Sequence, residues 1–99
     1  VSLTPSCSGI SITGTGSHQE GIGRATFVLI DLTKDPTSNL VDSKDIYYSK
    51  PLPKQVTESW NSTVSLTPGT SYRVAFHIWA KTRPGPQLLA SDLEDFTCT

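Results

Sequence analysis

The stretch that decides the fold class is LTPGTSY at residues 66–72, continued by RVAFHIWA at residues 73–80. Pro68 and Gly69 form a turn, after which the apolar side chains recur at every second position, the period of a half-buried strand. One face of this strand carries Tyr72, Val74, Phe76, Ile78 and Ala80, and the other carries Arg73, Ala75, His77 and Trp79. We predict that the first set lies in the core, and that the second faces solvent or an interface.

Outward from this stretch, alternating segments follow one another at short spacing, and none shows helical periodicity. Strands are predicted at about residues 9–14, 23–32, 40–49, 56–66, 70–82 and 88–97. The segment 14–23 is rich in glycine and is predicted to be a loop, and three acidic residues interrupt the last strand. The pattern is typical of an all-β sandwich or barrel.

The segment 25–32 is apolar on both faces. Phe27 and Leu29 lie on one face, and Val28, Ile30 and Leu32 lie on the other. Such a strand is central and is covered on both sides, or it is covered in part by a partner.

Length and charge exclude several classes of protein. The chain has 99 residues, which suits a single domain over residues 1–99. Its eight Lys and Arg residues are scattered and its net charge is −1, so we expect no nucleic-acid ligand. No apolar run is long enough for a helix that spans a membrane. We also expect the protein to be a monomer.

Cys7 and Cys98 lie near opposite ends of the chain. A metal site would need further ligands close by, and a catalytic thiol would need a poised base. A disulfide is therefore predicted, with a free buried pair as the alternative. A disulfide would indicate an oxidising compartment, hence a secreted or extracellular protein.

The residues 66–72 match the pattern L-x-P-G-T-x-Y and resemble the segment that precedes the sixth strand of fibronectin type III domains. The resemblance implies an all-β, antiparallel two-sheet sandwich of the immunoglobulin-like kind, with Greek-key connections and about seven strands. It also implies a tyrosine corner, in which Tyr72 bonds back across the turn formed by Leu66, Pro68 and Gly69. In that topology the first and last strands end at the same pole, so with residues 2–6 as the first strand Cys7 and Cys98 would meet without distortion. The alternative, with residues 8–13 as the first strand, would put the two sulfur atoms at opposite poles. A convergent sandwich of similar topology is the alternative.

No catalytic or metal-binding motif is present. A Ser/His/Asp set could be assembled from His18 or His77, but no G-x-S-x-G element accompanies it. Carboxylates cluster at Asp92, Glu94 and Asp95, but no D-x-D-x-D-G calcium loop occurs. Charge on an edge strand explains that cluster without an ion, although a calcium site is the alternative. We expect no enzyme activity, cofactor or metal.

Asn61-Ser62-Thr63 is a glycosylation sequon. Asn61 points outward in the predicted strand, so it could carry a glycan in a eukaryotic source.

Two surfaces are candidates for binding. Loops 14–23, 49–55 and 81–87 meet at one pole and contain His18, Lys81 and Arg83, although solvated loops are the alternative. The second surface is the strand face with Arg73, His77 and Trp79, where an exposed Trp would suggest a protein or carbohydrate ligand. Cover by a neighbouring loop would instead make Trp79 part of the packing.

These features predict a non-catalytic extracellular binding or spacer module of a larger secreted or cell-surface protein. The alternative is a free-standing small secreted protein, an inhibitor or host-directed effector, that uses the same sandwich as a protein-binding scaffold.

Overall fold

The computed structural model describes residues 2–80 and 87–98, which form seven strands and no helix. The strands are β1 (Ser2–Ser6), β2 (Gly9–Ser17), β3 (Arg24–Asp31), β4 (Leu40–Tyr47), β5 (Gln55–Ser62), β6 (Ser71–Ala80) and β7 (Gln87–Thr97). They pair in two antiparallel sheets, ordered β1-β2-β5 and β4-β3-β6-β7. The predicted fold class is confirmed. Within these described residues, nothing resembles a helix that could cross a lipid bilayer.

The core lies between the two sheets and is centred on β3 and β6. Phe27 packs against Phe76 of the same sheet with ring centroids 4.8 Å apart, and against Trp60 of the other sheet at 5.7 Å. Of the core face predicted for β6, Tyr72, Val74, Phe76 and Ile78 are buried, and Ala80, at the end of the strand, is half-buried. Ala75 was predicted to face solvent or an interface, and it is buried as well. The opposite face of β6 is thereby turned away from the core.

β2 is longer than predicted, and it runs to Ser17 through the start of the segment expected to be a loop. Gly14 and Gly16, which favoured the loop prediction, lie on the inward face of β2. A Cβ atom at Gly16 would lie 2.8 Å from Ile78 Cγ2, and one at Gly14 would overlap the Phe76 ring. These glycines therefore do not break the strand. They make room for the large side chains of β6.

Two other strands, β5 and β7, differ from the prediction. β5 ends at Ser62 rather than continuing to Leu66, although Leu66 is buried as expected. β7 is continuous through its three acidic residues, because an edge strand can direct charged side chains to water without loss of pairing.

Cys7 and Cys98 form a disulfide with Cα atoms 5.3 Å apart, so the predicted pairing is confirmed. The backbone around the bond is tied to the loop that precedes β6. Leu66 N–H donates to Cys7 O at 2.7 Å, and Gly69 N–H donates to Cys98 O at 2.9 Å. The turn between β1 and β2, the residue that follows β7 and this loop are therefore joined at one pole.

Tyr72 lies at the same pole and is 3 % exposed. Its hydroxyl accepts a hydrogen bond from Thr67 N–H at 2.9 Å, and its ring stacks on Phe96. The bond reaches Thr67 rather than Pro68 or Gly69, because proline has no N–H and the Gly69 N–H already donates to Cys98. Gly69 has φ +82°, the left-handed conformation that glycine allows in this turn.

Candidate binding face

The outward side chains of β4, β3, β6 and β7 form one continuous surface, which we call the outer face. The central strands place on it Arg24, Thr26, Val28 and Ile30 from β3, and Arg73, Ala75, His77 and Trp79 from β6. The edge strands add Leu40, Asp45 and Tyr47 from β4, and Leu88, Ser91, Leu93 and Asp95 from β7.

The outer face carries most of the exposed large apolar side chains among residues 2–80 and 87–98. Five large apolar side chains are exposed among the described residues, and four of them lie on this face: Leu40, Tyr47, Leu88 and Leu93. Tyr47 is 71 % exposed and Leu40 is 60 % exposed. Val28 and Ile30, on the second apolar face of β3, are only half-buried. The four exposed side chains do not form one contiguous patch, because the polar row Asp45, Thr26, His77 and Ser91 separates Tyr47 and Leu88 from Leu93 and Leu40.

At one end of the outer face, a cation lies between two aromatic rings. The Arg24 guanidinium carbon is 4.6 Å from the centroid of the Trp79 ring and 5.9 Å from that of Tyr47. Register explains the arrangement, since Arg24 pairs with Tyr47 on one side and with Trp79 on the other. Each such cation–π contact contributes about 0.5–1 kcal/mol at an exposed site.

Hydrogen bonds fix the Trp79 ring in this stack. Trp79 Nε1–H donates to Thr26 Oγ1 at 3.1 Å, and Thr26 Oγ1–H donates to Asp45 Oδ1 at 2.9 Å. The chain of bonds crosses three neighbouring strands. The stack is therefore held in place before any partner arrives.

Trp79 is half-buried, and what lies over its ring is Arg24 rather than a loop among the described residues. Residues paired across neighbouring strands form a row, and the row of Trp79 also contains Arg24, Tyr47 and Leu88. Tyr47 and Leu88 are exposed. This arrangement favours the outer face over the pole as the binding surface.

At the other end of the outer face, Arg73 is paired with Asp95. Arg73 Nε lies 2.7 Å from Asp95 Oδ1, and the second nitrogen lies 3.0 Å from Oδ2. The bidentate bond raises the pKa of Arg73 and lowers that of Asp95. Both side chains are solvent-exposed, so this pair contributes little to stability.

His77 lies in the middle of the outer face. Its Nδ1 and Ser91 Oγ are 2.6 Å apart, and partial burial lowers the pKa of His77. A Ser–His pair that acts as a nucleophile has a carboxylate on the second ring nitrogen. Asp45, the carboxylate on the same row of the register, instead accepts from Thr26. The described contacts thus leave His77 as a cross-strand hydrogen-bonding residue.

The predicted pole is only partly described. The loop at residues 18–23 is bonded to the loop at residues 48–54, because His18 N–H donates to Lys54 O and Ile22 N–H donates to Pro53 O, each at 2.8 Å. His18 itself is half-buried, and its Nδ1 accepts from Glu20 N–H. Lys81 and Arg83 lie outside the described residues. The described part of the pole is thus held together chiefly by backbone bonds.

The opposite surface of the sandwich differs strongly from the outer face. On the three-stranded sheet, cross-strand pairs of uncharged polar side chains face outward, including Thr13 with Ser59 and Thr15 with Thr57. Asn61 is exposed there, and its Oδ1 accepts from Ser11 Oγ–H at 2.7 Å. The described side chains that point outward from β2 and β5 are all uncharged and polar. It provides a matched control for the outer face.

Within residues 2–80 and 87–98, no three His, Cys, Asp or Glu side chains converge as metal ligands would. Comparison with family models, with curated proteins and with solved structures found no significant match.

Sequence reasoning placed Arg73, His77 and Trp79 on one face, but it missed Arg24, Tyr47 and the exposed leucines of the edge strands. The signal that could have found Arg24 was its position two residues before Thr26, in phase with Val28 and Ile30. That signal becomes useful only once the register between strands is known, because pairing partners are not encoded locally.

Proposed function

We propose that this chain is a non-catalytic extracellular binding module, of the fibronectin type III kind, and that it binds a protein partner through the outer face. The strand order, three strands against four, and the Tyr72 hydrogen bond support the family. The Cys7–Cys98 disulfide supports an extracellular setting.

The observation that carries the proposal is the Tyr47–Arg24–Trp79 stack, on a face that also holds four of the five large apolar side chains exposed among the described residues. Tyr, Trp and Arg are the residue types that most often dominate the energy of protein interfaces. A partner that covers the exposed parts of Tyr47, Leu88 and Leu93 would remove apolar surface from water. Each Å² of apolar surface buried in this way stabilises the complex by about 25 cal/mol. The face is also pre-organised, since Trp79 is already bonded to Thr26, so less entropy is lost on contact.

A module within a larger protein is the form we favour. A free-standing inhibitor or effector would use the same face, and the full precursor sequence separates the two.

The proposal is tested with a pair of matched lysine substitutions on opposite surfaces. Leu93→Lys puts a charge on the β7 edge of the outer face, and Thr15→Lys puts one on the polar sheet. An array of purified extracellular proteins is probed with the wild-type domain and with both variants. We expect binding by the wild type and by Thr15→Lys, and a loss of about tenfold or more with Leu93→Lys.

Folding of both variants is checked by thermal melting before binding is compared. If Thr15→Lys abolished binding and Leu93→Lys did not, the binding surface would be the other sheet. If no array protein bound the wild type, the domain would be better regarded as a spacer.

A further inference from the structure

The charge of Arg24 has no acidic partner in the part of the chain that the structure describes. Its guanidinium contacts the rings of Trp79 and Tyr47, and its Nε is buried without a hydrogen bond. Asp45 lies on β4 in the next row of paired residues, but its Oδ1 accepts a hydrogen bond from Thr26. Two aromatic rings hold this cation in place without neutralising it.

Arg73, on the same face and the same sheet, shows the usual alternative. It has a bidentate carboxylate partner in Asp95 on the neighbouring strand. The direct neighbours of Arg24 on β4 and β6 are Tyr47 and Trp79, and beyond Trp79 the row ends at Leu88 on β7. The row that contains Arg24 therefore consists of Tyr47, Arg24, Trp79 and Leu88, with no acid in it.

Burying that row under a purely apolar partner would remove water from an uncompensated charge, which is strongly unfavourable. A partner carboxylate removes this penalty, and its bidentate bond to a guanidinium is among the stronger polar contacts that proteins make. The rings fix the plane of the guanidinium in advance, so little ordering entropy remains to be lost.

We infer that the partner is an acidic protein segment: an Asp or Glu side chain that pairs with Arg24, flanked by apolar side chains that cover Tyr47, Leu88 and Leu93. This inference rests on the proposed function, since it names the partner chemistry of the same face. A single unpaired arginine in apolar surroundings suits one carboxylate better than a sulfated glycan, whose regular charges are bound by clusters of cations.

The test is selection from a phage-displayed library of random twelve-residue peptides against the folded wild-type domain. Binders that survive on Tyr47→Ser/Leu93→Ser are discarded, so that only peptides that need the outer face remain. The same selection is run on Arg24→Gln and Arg24→Glu, with melting curves to show that each variant is folded. Thr15→Lys serves as the control on the polar sheet.

We expect the wild type and Thr15→Lys to enrich peptides that carry Asp or Glu beside aromatic or aliphatic residues. Arg24→Gln should bind these peptides about tenfold more weakly or worse, and Arg24→Glu should select Lys or Arg at the same peptide position. A merely structural role for Arg24 would weaken binding without inverting this charge preference.

Peptides that need the outer face but show no acidic preference, or that bind Arg24→Gln equally well, would overturn the inference and leave the proposed binding face intact. Retention on heparin that is lost in Arg24→Gln, without acidic peptides, would overturn it in favour of an anionic glycan. If no selected peptide needs the outer face, the proposed function fails and the inference fails with it.

Discussion

Replacing Tyr72 with phenylalanine removes one oxygen atom and leaves the ring to stack on Phe96 as before. That oxygen accepts the Thr67 N–H at 2.9 Å, and Tyr72 is 3 % exposed, so little water can reach the site to take its place. The substitution therefore isolates a single hydrogen bond that closes the turn before β6. We expect it to destabilise the fold without changing the architecture.

The size of the expected destabilisation depends on the hydrogen bond that the Thr67 N–H loses. A typical hydrogen bond contributes about 0.5–1.5 kcal/mol net, and a donor left unpaired in a buried site costs about 1–3 kcal/mol. Because Thr67 is itself exposed, local relaxation can expose its N–H to water, which favours the lower part of that range. We expect Tyr72→Phe to lower the free energy of unfolding by about 1–2 kcal/mol, or about 4–16 °C in Tm for a domain of this size.

Urea denaturation followed by tryptophan fluorescence measures this difference, with the disulfide intact in every sample. Tyr47→Phe is the matched control, since Tyr47 is 71 % exposed and its hydroxyl has no hydrogen bond among the described contacts. That variant should stay within about 0.5 kcal/mol of the wild type. Equal stability of the two variants would refute the reasoning, because it would show that the Tyr72 hydroxyl contributes nothing to the fold.

Three further predictions concern stability. Replacing Cys7 and Cys98 with serine opens a loop of sequence separation 91, and the chain-entropy model gives a loss of about 4–5 kcal/mol, measured by chemical denaturation; a native protein whose two thiols react with an alkylating reagent would contradict the pairing. Because burial lowers the pKa of His77 below 6.5 in the folded state, the unfolded chain binds the proton more readily, and stability should fall as pH decreases from about 6.5. Denaturation curves across that window should lose this slope in His77→Gln, and an unchanged slope would assign it to another group. Gly14→Ala should destabilise the fold by about 1–3 kcal/mol, because the new methyl group overlaps the Phe76 ring, and a neutral result in a thermal melt would show that the ring can move aside.

The amino-acid sequence by itself was enough to predict the fold class, most strand positions and the disulfide. Alternation is a local signal, so Tyr72, Val74, Phe76 and Ile78 could be assigned to the core from their spacing alone. With only two cysteines in the chain, pairing left few alternatives. The apolar second face of β3 also indicated that Val28 and Ile30 would need either a covering layer or a partner.

What only the tertiary structure decided was which strands lie side by side and in which register. Gly14 and Gly16 suggested a loop because glycine is a weak strand former, and only the Phe76 and Ile78 side chains across the core explain why they continue β2. Arg24 carried no local signal of function, since a charged residue at the start of a strand is ordinary. Its position between Tyr47 and Trp79 depends on two pairings, one 23 and the other 55 residues along the chain, and non-local pairings of this kind are set by the packing of the whole sandwich.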